Sequence, residues 1–175
     1  MEESSKDAMT LLTDELKAQI GREVHYPARE PIGRASIRYF ALATGDDNPL
    51  YLDDEYAVAN GYRSVVAPPT LVVESCQYAH QAPDADGYFG HEWHLPVQNC
   101  RLIRAGNEYE FFQPVYPDDE VSVTFKLEEI QERSRRGGGT QLFVTAVAHY
   151  HNQHGELLAT NHEVTVIQPM QESDS

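Results

Sequence analysis

Lysine is almost missing from this chain of 175 residues: three occur beside ten arginines, against 28 acidic residues, for a net charge of −15. Such a surface repels nucleic acid and anionic lipid, so neither a nucleic-acid partner nor a membrane partner is expected. Cysteine is nearly as scarce. Cys76 and Cys100 fall in segments that read as a helix and the start of a strand, so a buried pair of free thiols is expected, which suits a reducing cytoplasm. No run of 18 apolar residues occurs and no basic-then-apolar leader opens the sequence, so a cytoplasmic chain, neither secreted nor membrane-spanning, is expected. No cofactor is expected. There is no linker and no internal repeat. The length suits one domain, expected over residues 9–169 between polar tails at 1–8 and 170–175.

What is present is a change of pattern along the chain. Met9, Leu12, Leu16 and Ile20 recur on one helical face and Gly21 stops them. An extended segment follows over Glu23–Pro31. Ser36 is placed to cap a helix that turns Ile37, Phe40, Ala41 and Thr44 inward and ends at Gly45. Asp53 caps a second, short helix through Ala59, ended at Gly61. Pro68 and Pro69 open a third, the most apolar, running to about His80, since a first turn has no use for the missing N–H. After a loop over 81–92 the period changes to two. Val121, Val123, Phe125 and Leu127 alternate with polar neighbours, and runs over 140–151 and 156–168 flank the hairpin signal Asn152-Gln153-His154-Gly155. Helices first and long antiparallel strands last predict an α+β domain.

Residues 40–73, FALATGDDNPLYLDDEYAVANGYRSVVAPPTLVV, together with 105–115 and Pro117-Asp118-Asp119 and the hairpin from Tyr150 to Glu156, resemble the MaoC-like (R)-specific enoyl-CoA hydratases and the dehydratase domains of fungal-type fatty acid synthases. The resemblance covers about residues 15–168. It implies a single hotdog fold, a curved antiparallel sheet wrapped around a long buried helix. It also implies reversible water addition to a trans-2-enoyl thioester. Active members carry Gly-Asp-x-Asn-Pro-x-His, with the Asp and His as catalytic pair. Here Asp46 and Asn48 match, but Tyr51 stands at the His position. Hydration needs a base for water and an acid for C2, and a phenol of ordinary pKa near 10 is a poor base.

Many relatives of this kind are double hotdogs or paired subunits in which a degenerate half shapes the acyl groove. The resemblance therefore implies that this chain is the substrate-binding half of an acyl-CoA lyase. It implies also a second MaoC-like hotdog subunit, in a heterodimer or heterotetramer, supplying the catalytic Asp and His. Fatty acyl chains and steroid side chains are both within the family's range. Asn48, Tyr51, Pro69 and Thr70 are the expected substrate contacts, with the backbone beyond Pro69 facing the thioester oxygen.

Plainer roles compete with these. Asp46 reads as a brace of the turn after Gly45, and Tyr51 as an aromatic filler. Arg133, Arg135 and Arg136 before three glycines could grip CoA phosphates or form a solvated hairpin tip. Glu74 keeps an acyl-CoA thioesterase open, although Thr70, Glu74, Gln77 and Gln81 fall on one polar helical stripe. A non-catalytic acyl-CoA-binding protein is the other alternative. A histidine from the loop, His91 or His94, could in principle serve Asp46. His149, His151 and His154 lack a further ligand at metal spacing, so no metal is expected.

Overall fold

The computed structural model describes residues 10–74, 82, 90–136 and 138–170. In chain order the elements are α1 (Asp14–Lys17), β1 (Glu23–Tyr26), α2 (Arg34–Thr44), a 3-10 turn (Pro49–Tyr51), α3 (Asp54–Ala59), α4 (Pro69–Glu74), β2 (Cys100–Phe111), β3 (Ser122–Ser134), β4 (Thr140–His151) and β5 (Leu157–Pro169). The five strands form one antiparallel sheet in the order β1-β3-β4-β5-β2. α4 lays Val72 and Val73 against Val123, Phe125, Ala148, Tyr150 and Leu158 of that sheet, the hotdog arrangement. Its expected continuation to His80, with Cys76, lies outside the described residues. So do most of the two terminal tails.

The strands fall where alternation puts them. On β3, Val123, Phe125 and Leu127 are buried between half-buried neighbours, and a register shift between Leu127 and Glu129 lets Ile130 rejoin the buried face. The β4–β5 hairpin is held by Asn152, whose Oδ1 accepts from the backbone N–H of His154 and of Glu156, both at 3.0 Å. Gly155 supplies the left-handed residue that the turn needs, with φ +77°. Each large side chain fully enclosed here, such as Tyr150, Leu142 and Ile167, contributes roughly 1.5–3 kcal/mol.

Four expectations about local elements are corrected. The first helix is a single turn, because the Thr13 side chain accepts from Leu16 N and starts it late; Leu16 is buried, while Ile20 is exposed. The following strand stops at Tyr26 rather than Pro31, where its pairing with β3 ends. α2 begins at Arg34 with Gly33, not Ser36, as its cap, and Ser36 is exposed within the first turn. Thr44 is exposed rather than inward, its hydroxyl donating to the carbonyls of Phe40 and Ala41. Cys100 is a half-buried free thiol. Among the described residues no helix is long and apolar enough to cross a membrane.

β2 is the exception to burial. Eleven of its twelve residues are exposed, including Leu102, Ile103, Tyr109 and Phe111, and among the described strands it pairs with β5 alone, at the end of the strand order.

Candidate functional site

The motif between α2 and α3 is built by two caps. Gly45 closes α2 in the left-handed conformation (φ +70°), and the next N–H, that of Asp46, reaches back to Ala41 O at 2.9 Å. That reversal turns Asp46 outward, where its Oδ1 accepts from Asn48 N at 3.1 Å. Asn48 in turn accepts from Leu50 N at 3.1 Å and opens the 3-10 turn that presents Tyr51. Asp53 then caps α3, and Asp54 joins α3 to α2 through Arg34 and takes Val65 N at 2.9 Å. The Arg34 guanidinium holds the Asp54 carboxyl below its usual range.

Tyr51 is half-buried against the main core and lines a hollow of about 300 Å³ with Tyr62, Pro69, Val72, Phe111, Phe112 and Leu158, among others. Burial first, and the Asp46 charge second, push the Tyr51 phenol above its ordinary value, while a hydrogen bond with Asn48 pulls the other way. At neutral pH Tyr51 is therefore a neutral phenol that can donate a hydrogen bond and cannot serve as a base. Pro69 lines this hollow, but Thr70, one residue on, is exposed and does not. Tyr62, Phe111 and Phe112 were not singled out from sequence. They reach the hollow from separate elements, so no local spacing links them to Tyr51.

The arginine cluster lies elsewhere. Arg133 ends β3 with its guanidinium over the Phe143 ring and its N–H groups on Gln131, while Arg135 and Arg136 sit at the β3–β4 turn. That turn adjoins the Leu142–Ile167 pairing, whereas the Tyr51 hollow adjoins Tyr150 and Ala159. The eight-residue run of β4 between Leu142 and Tyr150 is about 27 Å at strand rise. Glu74 is half-buried and lines neither hollow described here.

At the other end of the sheet a second hollow of about 480 Å³ lies under the strap formed by residues 91–100. Its lining joins Trp93, Leu95, Leu102, Val144 and Ile167 to Arg104, Glu163 and Thr165. His91 forms part of this wall, and Asp46 lines neither of the two hollows described here. Its ring stacks on Phe125 with centroids 4.3 Å apart, and its Nδ1 is 2.7 Å from the Tyr26 hydroxyl. Burial, then the charges of Arg22 and His94, lower its pKa to about 4. Arg22 anchors the strap by donating to the Trp93 carbonyl and lying over the indole. His94 is exposed beside Glu92. Among the described residues no group of three or more His, Cys, Asp or Glu side chains is arranged to hold a metal, and His149 and His151 simply stack along β4.

Residues 18–161 match the model of the FAS1-like dehydratase domain region. A probable enoyl-CoA hydratase alpha subunit of Thermomonospora curvata is 31% identical over 153 residues, which are 83% of this chain and 48% of that protein. The chain thus spans about half the length of that relative. A UPF0336 protein of Streptomyces griseus is 33% identical over 134 residues, covering 77% of this chain and 81% of its own. Among solved structures, the ChsH1-ChsH2 complex of Mycobacterium tuberculosis superposes with a TM-score of 0.71 at 18% identity, covering 85% of each chain. The HadBC 3R-hydroxyacyl-ACP dehydratase complex of the same organism gives 0.61 at 23% identity, over 90% of this chain and 100% of that one.

Proposed function

Because this chain belongs to the FAS1-like, MaoC-like family of hotdog dehydratases, we propose that it is the substrate-binding half of a two-subunit enoyl-CoA hydratase. Its partner, a second hotdog, carries the complete Asp and His pair. The observation that carries this reading is Tyr51. It occupies the histidine position of the motif, and burial and Asp46 keep its phenol protonated.

In the proposed reaction the partner's base removes a proton from water as the water oxygen bonds to C3 of the trans-2-enoyl thioester. The C2–C3 π pair moves toward the thioester carbonyl, and C2 then takes a proton from the partner's acid. Two catalytic groups are needed, and this chain offers a carboxylate tied to its own turn and a phenol. Its contribution is the aromatic hollow around Tyr51, which shelters the acyl group from water while Tyr51 donates to a polar atom of it. The open edge of β2 is the proposed docking strand for the partner. Among the described strands it pairs with β5 alone, and it carries the exposed side chains of Leu102 and Ile103.

A pair is supported by the ChsH1-ChsH2 and HadBC complexes and by the relative described as an alpha subunit. The test is hydration of a trans-2-enoyl-CoA by this chain alone and then co-expressed with a hotdog carrying the full motif. Turnover only in the mixture supports the proposal. Turnover by the single chain that disappears in Asp46→Ala overturns it.

A further inference from the structure

Under the strap, aromatic rings pack on one another: His91 meets Tyr26, Trp93 and Phe125. The hollow beside the motif is built differently. Tyr51, Tyr62, Phe111 and Phe112 all line it, yet among the described residues none of these four rings is in contact with another of them. Phe111 instead lies nearly parallel to Tyr109, which is outside the lining, with centroids 6.2 Å apart. The rest of the lining is aliphatic or proline, apart from Gln113. An apolar wall with few polar groups is the usual make-up of a small-molecule site. Here the wall also offers ring surface from several directions.

The backbone that carries these rings is tied down. Gly61 follows α3 in the left-handed conformation (φ +91°), and the N–H of Tyr62 returns to Ala57 O at 3.1 Å. The N–H of Phe112 bonds to Leu158 O at 2.9 Å, that of Val66 to Leu50 O at 3.0 Å and that of Ala67 to Val115 O at 2.7 Å. A wall fixed before the ligand arrives costs less ordering when it binds. On the inner side the hollow ends at Val72, Val115 and Leu158, which are at most 3% exposed and belong to the main core.

Size and lining then narrow the occupant. A cavity of about 150 Å³ holds a benzene ring. About 300 Å³ closed by core side chains therefore suits one ring and a short unsaturated linker better than a long extended chain. Ring pairs in offset or edge-to-face contact gain beyond the area they bury, by a factor of about two to ten per pair. We infer that this hollow binds an aryl-substituted acyl group, its ring set among Tyr51, Tyr62, Phe111 and Phe112. The inference rests on the acyl-thioester reading above and narrows its substrate class to short acyl chains that end in an aromatic ring.

The experiment measures binding by calorimetry to the full chain, alone and paired with the hotdog that carries the full motif. The ligands are trans-cinnamoyl-CoA, trans-3-cyclohexylacryloyl-CoA and trans-2-nonenoyl-CoA, whose acyl groups have equal carbon number. The saturated ring is the more apolar of the two rings, so burial alone would favour it. Cinnamoyl-CoA is expected to bind at least about fivefold tighter than either of the others. Tyr62→Leu and Phe112→Leu are each expected to cut that preference severalfold while nonenoyl-CoA still binds, which also shows that the variants fold. Phe112→Tyr, which keeps a ring, is expected to retain it. Equal or reversed affinities, a preference untouched by both leucine variants, or no binding of any of these ligands in either setting overturns the inference. A clear preference without hydratase turnover in any pairing would instead overturn the proposed reaction and leave this site standing. Turnover of nonenoyl-CoA by the pair without the preference would do the reverse.

Discussion

Tyr26 and His91 meet at 2.7 Å between hydroxyl and Nδ1, and together with Phe125 they close the inner end of the strap over residues 91–100. The imidazole is thereby kept neutral in a buried aromatic box, with Arg22 and His94 as the charged neighbours that oppose its protonation. Its Nε2 has no hydrogen-bond partner among the described residues. Protonation of His91 is therefore expected to weaken the strap's anchorage.

With a folded pKa of about 4 against 6.5 for the unfolded chain, the unfolded state binds more protons between those values. The stability associated with neutral His91 is complete above pH 6.5 and declines as pH falls toward 4, by roughly 3 kcal/mol in total. Urea unfolding of the unaltered chain and of His91→Phe at about pH 7, 5.5 and 4.5 measures this. The variant should lack that part of the acid-side decline; parallel curves for the two proteins would refute the assignment.

Tyr51 gives the second expectation. In the assembled pair, Asp46→Ala should leave kcat within about twofold, since neither proton transfer is assigned to this chain. Tyr51→Phe should raise KM several-fold by removing a donor, with kcat little changed. If Asp46→Ala instead slowed turnover by roughly a hundredfold or more, the scale of a lost general base or acid, the chemistry would move onto this chain.

The converse substitution is informative as well. Tyr51→His restores the residue pair of the active motif beside Asp46 and Asn48. It is expected to give the single chain measurable hydration of a trans-2-enoyl-CoA, lost again when Asp46→Ala is added. An inactive Tyr51→His chain that still binds acyl-CoA would mean that the missing histidine is not the sole deficiency.

Asp119 is a stability site. It is 4% exposed, accepts from Tyr116 N at 2.7 Å and from Gln153 Nε2 at 3.3 Å, and has Arg63 at 3.8 Å. Its backbone carbonyl also takes Ile32 N, which ties the chain ahead of α2 to the start of β3. Asp119→Ala should cost on the order of 2 kcal/mol, because the donors around it lose their acceptor inside the fold. Thermal or urea unfolding measures the loss, and a change below about 0.5 kcal/mol, the scale of an ordinary surface substitution, would contradict it.

At the sheet edge, Ile103→Glu places a charge in the middle of the exposed strand of an already acidic chain. Co-purification with the partner hotdog should fall sharply while the far-ultraviolet dichroism of the chain stays the same. Undiminished pairing would exclude β2 as the docking strand.

Sequence and structure agree most closely where a pattern is local. The β4 and β5 runs were legible because alternation brackets an Asx turn, and that turn is the one Asn152 forms. Asp53 was legible as a cap because its acceptor lies two and three residues from the N–H groups it serves. The first helix was not, since four apolar residues at helical spacing say nothing of Thr13 taking Leu16 N or of Gly21 N bonding to Leu127 O. The Tyr51 motif could be read directly, being contiguous. The second hollow could not. Pairing with β4 sets Glu163 opposite Ala146 and Thr165 opposite Val144, and that register is decided across strands, which no single segment encodes.

The exposed strand β2 has a consequence for the life of the chain as well as for its chemistry. A strand bonded along one side, with no described strand along the other, offers itself to a complementary backbone, including that of an identical neighbour. Its persistence is therefore set by mass action: the stability of the subunit rises with the concentration of whatever covers that edge. With the proposed partner hotdog as that cover, a cell making this chain in excess would hold orphans open to self-stacking and proteolysis, and matched synthesis of the two chains would follow from one strand.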